Sequence, residues 1–432
     1  MRRTLAVVVT VLALAGCSSS STSGSSDTGT PSATAPVPSA TGTQSTSAAP
    51  GAFRLVSADL VKEGPQTILD ASSEGTAVVA SVVSQTSDTD YDAGLVFSTD
   101  SGDTWKWGGI VAEPGVTFPD AIVATAKGAV MVGTTQASDA AGAVSSSAFI
   151  AVAGAPDYVP QQVQTPAEFE GQNVHLQDIA TISGVLLVVG WEETAVEGSD
   201  HAVRTAYMWR SSDAGATWQK SKIDVPGSTD NSLEQIVFAP DGSWNLIGQA
   251  AYGDGANQYD ALWLKSTDAG ATFALMNQDV LTAPLDQGAT RITFASDGSA
   301  AILGWEEAAD GEAARNSALW VSAADQKLTR VGTTTVPVSG GSPPGEFING
   351  IMWDALQLAA WGSATGAYPM DNVQFWGLNG PELTQSTMLP GDGTPLAVSK
   401  ILVGTDSALA FGFRGKDLAS ADVAIWKGTA IQ

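Results

Sequence analysis

One pattern constrains this chain more than any other. Serine, aspartate, glycine and threonine fall at alternate positions and an aromatic residue closes the run, at Ser98 to Trp105, Ser211 to Trp218 and Ser266 to Phe273. Such a run specifies a hairpin turn. Gly102, Gly215 and Gly270 supply the positive φ that the turn requires, and Asp100, Asp213 and Asp268 supply carboxylates to accept its amide hydrogens. Asp213 and Asp268 are 55 residues apart, and Asp100 lies about twice that distance before Asp213. The spacing therefore predicts a repeated unit of about 55 residues, with eroded copies of the turn at Asp157 and Asp325.

Two further series mark the same unit. An isoleucine opens an apolar run at Ile68, Ile122, Ile179, Ile236, Ile292, Ile351 and Ile401. A small residue closes the next run at Ser81, Gly133, Gly190, Gly248, Gly304, Gly362 and Gly412. Between the two, turns such as Asp241-Gly242 and Asp297-Gly298 read as hairpins. Each unit is read as four strands, A to D, with the octapeptide joining C to D. Val185 to Val189 is continuously apolar, as a strand covered on both faces should be. The prediction is an all-β, seven-bladed β-propeller of four-stranded blades. The last unit has no room for a strand D before Gln432, so the segment 53–60 is expected to complete it and close the ring.

The octapeptide Ser-x-Asp-x-Gly-x-Thr-Trp resembles the Asp-box of the BNR repeat, or sialidase-like, β-propeller family. That resemblance spans the folded region and implies a fold. The family includes sialidases, other glycoside hydrolases and non-catalytic binding or assembly proteins, so activity has to be argued from the site. The sialidase pattern implies three arginines gripping a carboxylate, the first in a Phe-Arg-Ile-Pro-like motif, with a Tyr-Glu pair. Here Phe53-Arg54-Leu55-Val56 lacks the proline, and Arg204, Arg291, Arg315 and Arg414 come with no recognisable Tyr-Glu partner.

The N-terminus reads as an export signal. Arg2 and Arg3 precede an apolar run from Leu5 to Leu14, and Leu14-Ala15-Gly16-Cys17 resembles a bacterial lipobox with Cys17 as the lipidated residue. Residues 1–17 are thus expected to be a lipoprotein signal peptide. Residues 18–51, rich in Ser, Thr, Gly, Ala and Pro, are expected to be a disordered tether, and residues 52–432 the propeller. The expected location is the extracytoplasmic side of the cell membrane. Cys17 is the only cysteine, so no disulfide is expected. With 45 acidic against 19 basic residues the net charge is −26, which argues against a nucleic-acid partner because phosphate contacts need clustered Lys and Arg. A monomer is expected.

Site candidates follow from propeller geometry. The residues just before the isoleucines, Thr67, Ala121, Asp178, Gln235, Arg291, Gly350 and Lys400, are predicted to line the channel mouth. Their mixture of an acid, an amide and two bases suits a small polar or carboxylate ligand near Arg291 and Lys400. Gly190-Trp191-Glu192-Glu193 recurs as Gly304-Trp305-Glu306-Glu307, with Gln249 and Trp361 at related positions. Carboxylates beside tryptophans suit acid–base chemistry or a sugar, although recurrence in two units favours architecture. The ligand-binding candidates are therefore Asp178, Gln235, Arg291, Lys400, Trp191, Trp305 and Glu306, and the catalytic candidates are Asp178, Glu192 and Arg291. The acidic B–C loops are read as Glu192 to His201, Tyr252 to Asp260 and Glu306 to Arg315. Asp254, Asn257 and Asp260 match no known calcium loop, and His175 and His201 are too few for a zinc or Ser-His-Asp site. No cofactor or metal is expected. The reading favours a non-catalytic module for an envelope glycan or exported protein over an exo-sialidase-like glycoside hydrolase or an assembly factor.

Overall fold

The computed structural model describes residues 53 to 429, apart from 58–59, 61–64, 87–90, 112–115, 139–143, 164–168, 170–172, 197–201, 253–257, 308–314, 332–346, 355–356, 364–373, 380–381, 389–393, 395, 405–406 and 416–419. Cys17, the tether, His201, Asp254 and Asn257 lie outside the described residues.

Strands here arise from alternating or continuous apolar runs interrupted by glycine turns. Among the described residues they pair into seven separate four-stranded antiparallel sheets. The innermost strands (A) are Gln66–Glu74, Val116–Thr125, Val174–Ile182, Ser228–Phe238, Gln287–Phe294, Phe347–Asp354 and Leu396–Val403. Each contacts the next in chain order, and the last returns to the first. No strand is shared between two sheets. In the seventh sheet the outer position is held by Arg54–Ser57, antiparallel to Asp422–Thr429. That strand is shorter than the expected 53–60. Lys427 Nζ then reaches from the last sheet to Asp103 (2.7 Å) and the Ser101 carbonyl (3.1 Å) of the first.

The core lies between sheets. Trp209, Trp263, Trp320 and Trp426, all on third strands, are at most 2% exposed. Truncating a tryptophan buried in this way typically costs about 3–5 kcal/mol. Trp209 shares its seam with Phe169, stacked at 5.2 Å, and with Trp218 from the second octapeptide turn.

Every inner strand carries a bulge where it pairs with strand B. This explains the glycine series. A Cβ on Gly133, Gly190, Gly248, Gly304 or Gly412 would lie 1.8–2.0 Å from a carbonyl oxygen of the bulged strand. The bulge also corrects the register expected for the first unit. Asp70 pairs with Ser81 and Ala71 with Ala80, as Asp178 pairs with Val189 and Ile179 with Val188. Asp70, and not Thr67, is therefore the counterpart of Asp178, and Ala71 replaces Ile68 in the series. Ile68 misled because it is fully buried two positions before the bulged pair, and alternation cannot reveal an inserted residue.

Strand limits differ as well. Inner strands begin several residues before the isoleucines, so the ring residues sit within strands and not at strand starts. Strand B runs through Gly190-Trp191-Glu192-Glu193 to Ala195 and through Gly304 to Glu307, so those glutamates are in ladders and not in loops. Trp361 pairs with Gly350 and so matches Val189, two positions short of Trp191; Gln249 does match Trp191.

Candidate functional site

The octapeptide turns form one repeated network. Ser98 Oγ donates to Asp100 Oδ1 (2.7 Å) and accepts from the Gly102 amide (2.8 Å). Thr104 donates through its amide to Asp100 Oδ1 (2.8 Å) and through its hydroxyl to Oδ2 (2.6 Å). The same bonds recur around Ser211 and Asp213 and around Ser266 and Asp268. The Trp105 and Trp218 indoles donate to the Gly102 and Gly215 carbonyls, whereas Phe273 has no such donor. The glycines have φ of 84°, 94° and 83°. Thr104, Thr217 and Thr272 hold the three carboxyls at a pKa of about 2. Each carboxylate takes three hydrogen bonds from within its own turn, so the turns are structural.

At the other end of the sheets lies the axis. Inner strands leave one edge unpaired, and its amides face inward. Asp70 Oδ2 accepts from the Ile122 amide of the next sheet at 3.0 Å, Asp178 Oδ2 from Ile236 at 2.9 Å, and Gln235 Oε1 from Ile292 at 2.7 Å. In these three sheets the residue after the bulge is thus a latch onto the following sheet. Ala121 has no acceptor side chain, and the amide it would have satisfied, Ile179, is taken at 2.9 Å by Oδ1 of Asp178 itself. At the closing seam Ser399 Oγ donates to the Ile68 carbonyl at 2.7 Å.

Of the predicted ring residues, Asp178, Arg291 and Lys400 lie within electrostatic reach of one another, while Asp178 and Gln235 hold the ring together. Lys400 is paired with Asp70 at 2.9 Å. Asp178, enclosed by inner strands, has its pKa pushed up to about 6, first by burial and then by Asp70, while Lys400 and Arg291 oppose the rise. Arg291 is exposed, donates to the Thr290 carbonyl, and pairs with no carboxylate among the described residues. Just before Ala121, Asp120 sits at the bulge of the second sheet and accepts from Thr134 Oγ1 at 3.1 Å. Burial raises its pKa to about 7, and the like charge of Glu234 adds to the rise. Sequence reasoning missed Asp120 and Asp70 because both depend on the position of the bulge.

The remaining candidates are engaged within their own sheets. Glu192 pairs with Lys220, which lies over the Tyr207 ring at 4.1 Å. Glu306 pairs with Arg330 at 3.0 Å, and that guanidinium lies over Trp320 at 5.2 Å. The repeated Trp-Glu-Glu is thus a repeated brace to an outer strand. Trp191 stacks on His175 at 5.0 Å, and burial keeps the imidazole below its usual pKa. Trp305 lies against Gly288, where an added Cβ would be 2.8 Å from the indole nitrogen.

Arg204 bonds Asp230 at 2.9 Å across the seam between the third and fourth sheets, beneath the Tyr259 ring. Arg54 is exposed on an outer strand, and Arg414 donates to Thr394 Oγ1 at 3.3 Å. With Arg291 on the axis, these arginines sit at separate seams and edges. Among the described residues no group of three or more His, Cys, Asp or Glu is placed to hold a metal ion.

A closed ring of four-stranded antiparallel sheets around a polar axis defines a β-propeller. No family model and no curated protein matches the chain. Among solved structures it is similar to the polysaccharide lyase Uly1, at 10% identity over 84% of this chain and 90% of that one, with a TM-score of 0.55. It is also similar to a Dyadobacter fermentans protein of unknown function (11% identity, 88% and 99% covered, TM-score 0.47). A third is a Trypanosoma rangeli sialidase in complex with sialic acid (11%, 87% and 54%, TM-score 0.43). At these identities the likeness is one of fold.

Proposed function

We propose that this chain is a lipid-anchored propeller on the extracytoplasmic side of the membrane, acting as a non-catalytic binding module for an envelope glycan or another exported protein. The observation that carries the reading is that the nominated carboxylates are already engaged. Glu192 and Glu306 are braced by Lys220 and Arg330, and Asp178 accepts two backbone amides. Hydrolysis of a glycoside needs two carboxyl groups facing one bond, with an oxygen free to move a proton. Binding needs only the long loops of the mouth face held on a rigid ring.

A second reading, glycoside hydrolysis with Asp178 as the acid, draws on its raised pKa of about 6. One experiment separates the two. Fluorogenic glycosides, a sialoside among them, are offered to the purified chain while intact cells displaying it are crosslinked. The binding reading expects no turnover and a recovered partner. Turnover abolished by Asp178→Asn establishes the enzyme and sinks the binding reading. Recovery of Cys17 in the aqueous phase after detergent partition, without attached acyl chains, would refute the anchor.

A further inference from the structure

The latch rule that closes the ring also shows where it is left open. Three inner-edge amides of the isoleucine series, those of Ile122, Ile236 and Ile292, are held by the ring residue of the preceding sheet. For Ile351 that residue is Arg291, and for Ile401 it is Gly350. A guanidinium has donors only, and glycine has no side chain. Ile351 pairs with Ala360, and Ile401 with Ala410, in the register in which Ile292 pairs with Ile302 and turns its amide to the axis. Among the described residues neither amide has a side-chain acceptor. The space beside Gly350 is walled by Trp361, whose ring would lie 2.1 Å from an added Cβ and whose indole is spent on the Val398 carbonyl at 3.3 Å.

The neighbouring groups have the same character. Gln235 must present Oε1 to the Ile292 amide, which turns its Nε2 hydrogens away from that bond with no acceptor among the described residues. Arg291 uses Nη1 on the Thr290 carbonyl and keeps its other N–H donors. Lys400 ends the arc, held by Asp70. One side of the axis, from the fourth sheet to the seventh, is therefore an arc of donors. The acids Asp120, Asp178 and Glu234 come from the second to fourth sheets. Ile351 and Ile401 are buried, at 7% and 6% exposure, and a buried backbone amide is rarely left without an acceptor.

We infer that this arc, Gln235 Nε2, the Arg291 guanidinium and the Ile351 and Ile401 amides, is a binding site for a small oxyanion, a carboxylate or a phosphate-type group. Backbone amides and a planar guanidinium together fit the two or three oxygens of such a group. None of the four groups belongs to the B–C loops, so the site stands or falls independently of the binding partner proposed above.

The test uses the full-length chain labelled with nitrogen-15 at isoleucine, with Ile351→Val and Ile401→Val removing one resonance each to assign the two amides. Titration with acetate and, separately, with inorganic phosphate is expected to move the Ile351 and Ile401 signals while Ile122 and Ile236, held by Asp70 and Asp178, stay in place. The two titrations distinguish a carboxylate from a phosphate preference. Arg291→Lys, which keeps the charge but loses the fork, should weaken binding several-fold, and Arg291→Ala at least 10-fold. The inference is overturned if neither anion moves the two amides at tens of millimolar, if all inner-edge amides move alike, or if the shifts survive in Arg291→Ala with the remaining isoleucine signals unchanged.

Discussion

Replacing Asp120 by asparagine tests the electrostatics of the axis directly. The carboxyl accepts from Thr134 Oγ1, a bond that asparagine Oδ1 can keep, and burial with the nearby Glu234 raises its pKa from 3.8 to about 7. The native state thus holds a proton that the unfolded chain releases between those two values. With more protons bound in the native state, stability falls as pH rises through that window and levels off above pH 7. At 1.36 kcal/mol per pKa unit the full penalty is about 4 kcal/mol, of which roughly 2 kcal/mol develops between pH 5 and pH 7. Asparagine carries no charge at either pH. In urea unfolding, Asp120→Asn should therefore gain roughly 2–3 kcal/mol over the parent at pH 8 relative to the difference at pH 5, with contributions from other groups cancelling. A difference that does not change with pH, or a mutant less stable than the parent at pH 8, would refute the reasoning.

Three other outcomes follow from the same geometry. Gly190→Ala places a Cβ 1.9 Å from the His175 carbonyl, whereas Gly184, at φ 78°, has nothing within 4 Å. Gly190→Ala should cost about 3 kcal/mol or more and Gly184→Ala about 1 kcal/mol, ranked by thermal unfolding; equal costs would contradict the bulge. His175 should titrate below 6.5 by NMR, since burial and Arg204 disfavour the imidazolium. Its folded pKa is depressed, so its share of stability is present above the unfolded pKa and is lost as pH falls through the window below it; a normal or raised titration would show that the Trp191 stack is open. Glu192→Gln should lower stability by about 1 kcal/mol or less and leave partner capture on cells intact, because its partner is Lys220; loss of capture without loss of stability would make it a contact residue.

Much of the architecture is legible in the sequence, because turns are local. The serine, aspartate and threonine of each octapeptide bond only to one another and to amides within a few residues, so the motif specifies its own geometry wherever it occurs. The glycine series is legible for the same kind of reason: at five of its positions a Cβ would meet a carbonyl of the paired strand, although in the first sheet Val82, paired with Ile68, and not Ser81, stands at that position. The four-strand unit and the borrowed outer strand both rest on spacing and on counting apolar runs.

The site was legible only in part. Asp178, Gln235, Arg291 and Lys400 do gather at the axis, yet what each of them does depends on the neighbouring sheet, more than fifty residues away in the chain. Thr67 stood in for Asp70 because an inserted bulge residue leaves no trace in the alternation of apolar and polar positions. The glutamates of the two Trp-Glu-Glu copies looked free because a salt bridge to an outer strand has no sequence signature. The chain's sequence by itself determined the turns, the repeat and the strands, since these follow from φ, steric exclusion and periodicity. Tertiary structure alone decided which axial groups were consumed in holding the ring and which were left with donors unmet, because that depends on seams between units that the chain joins only in space.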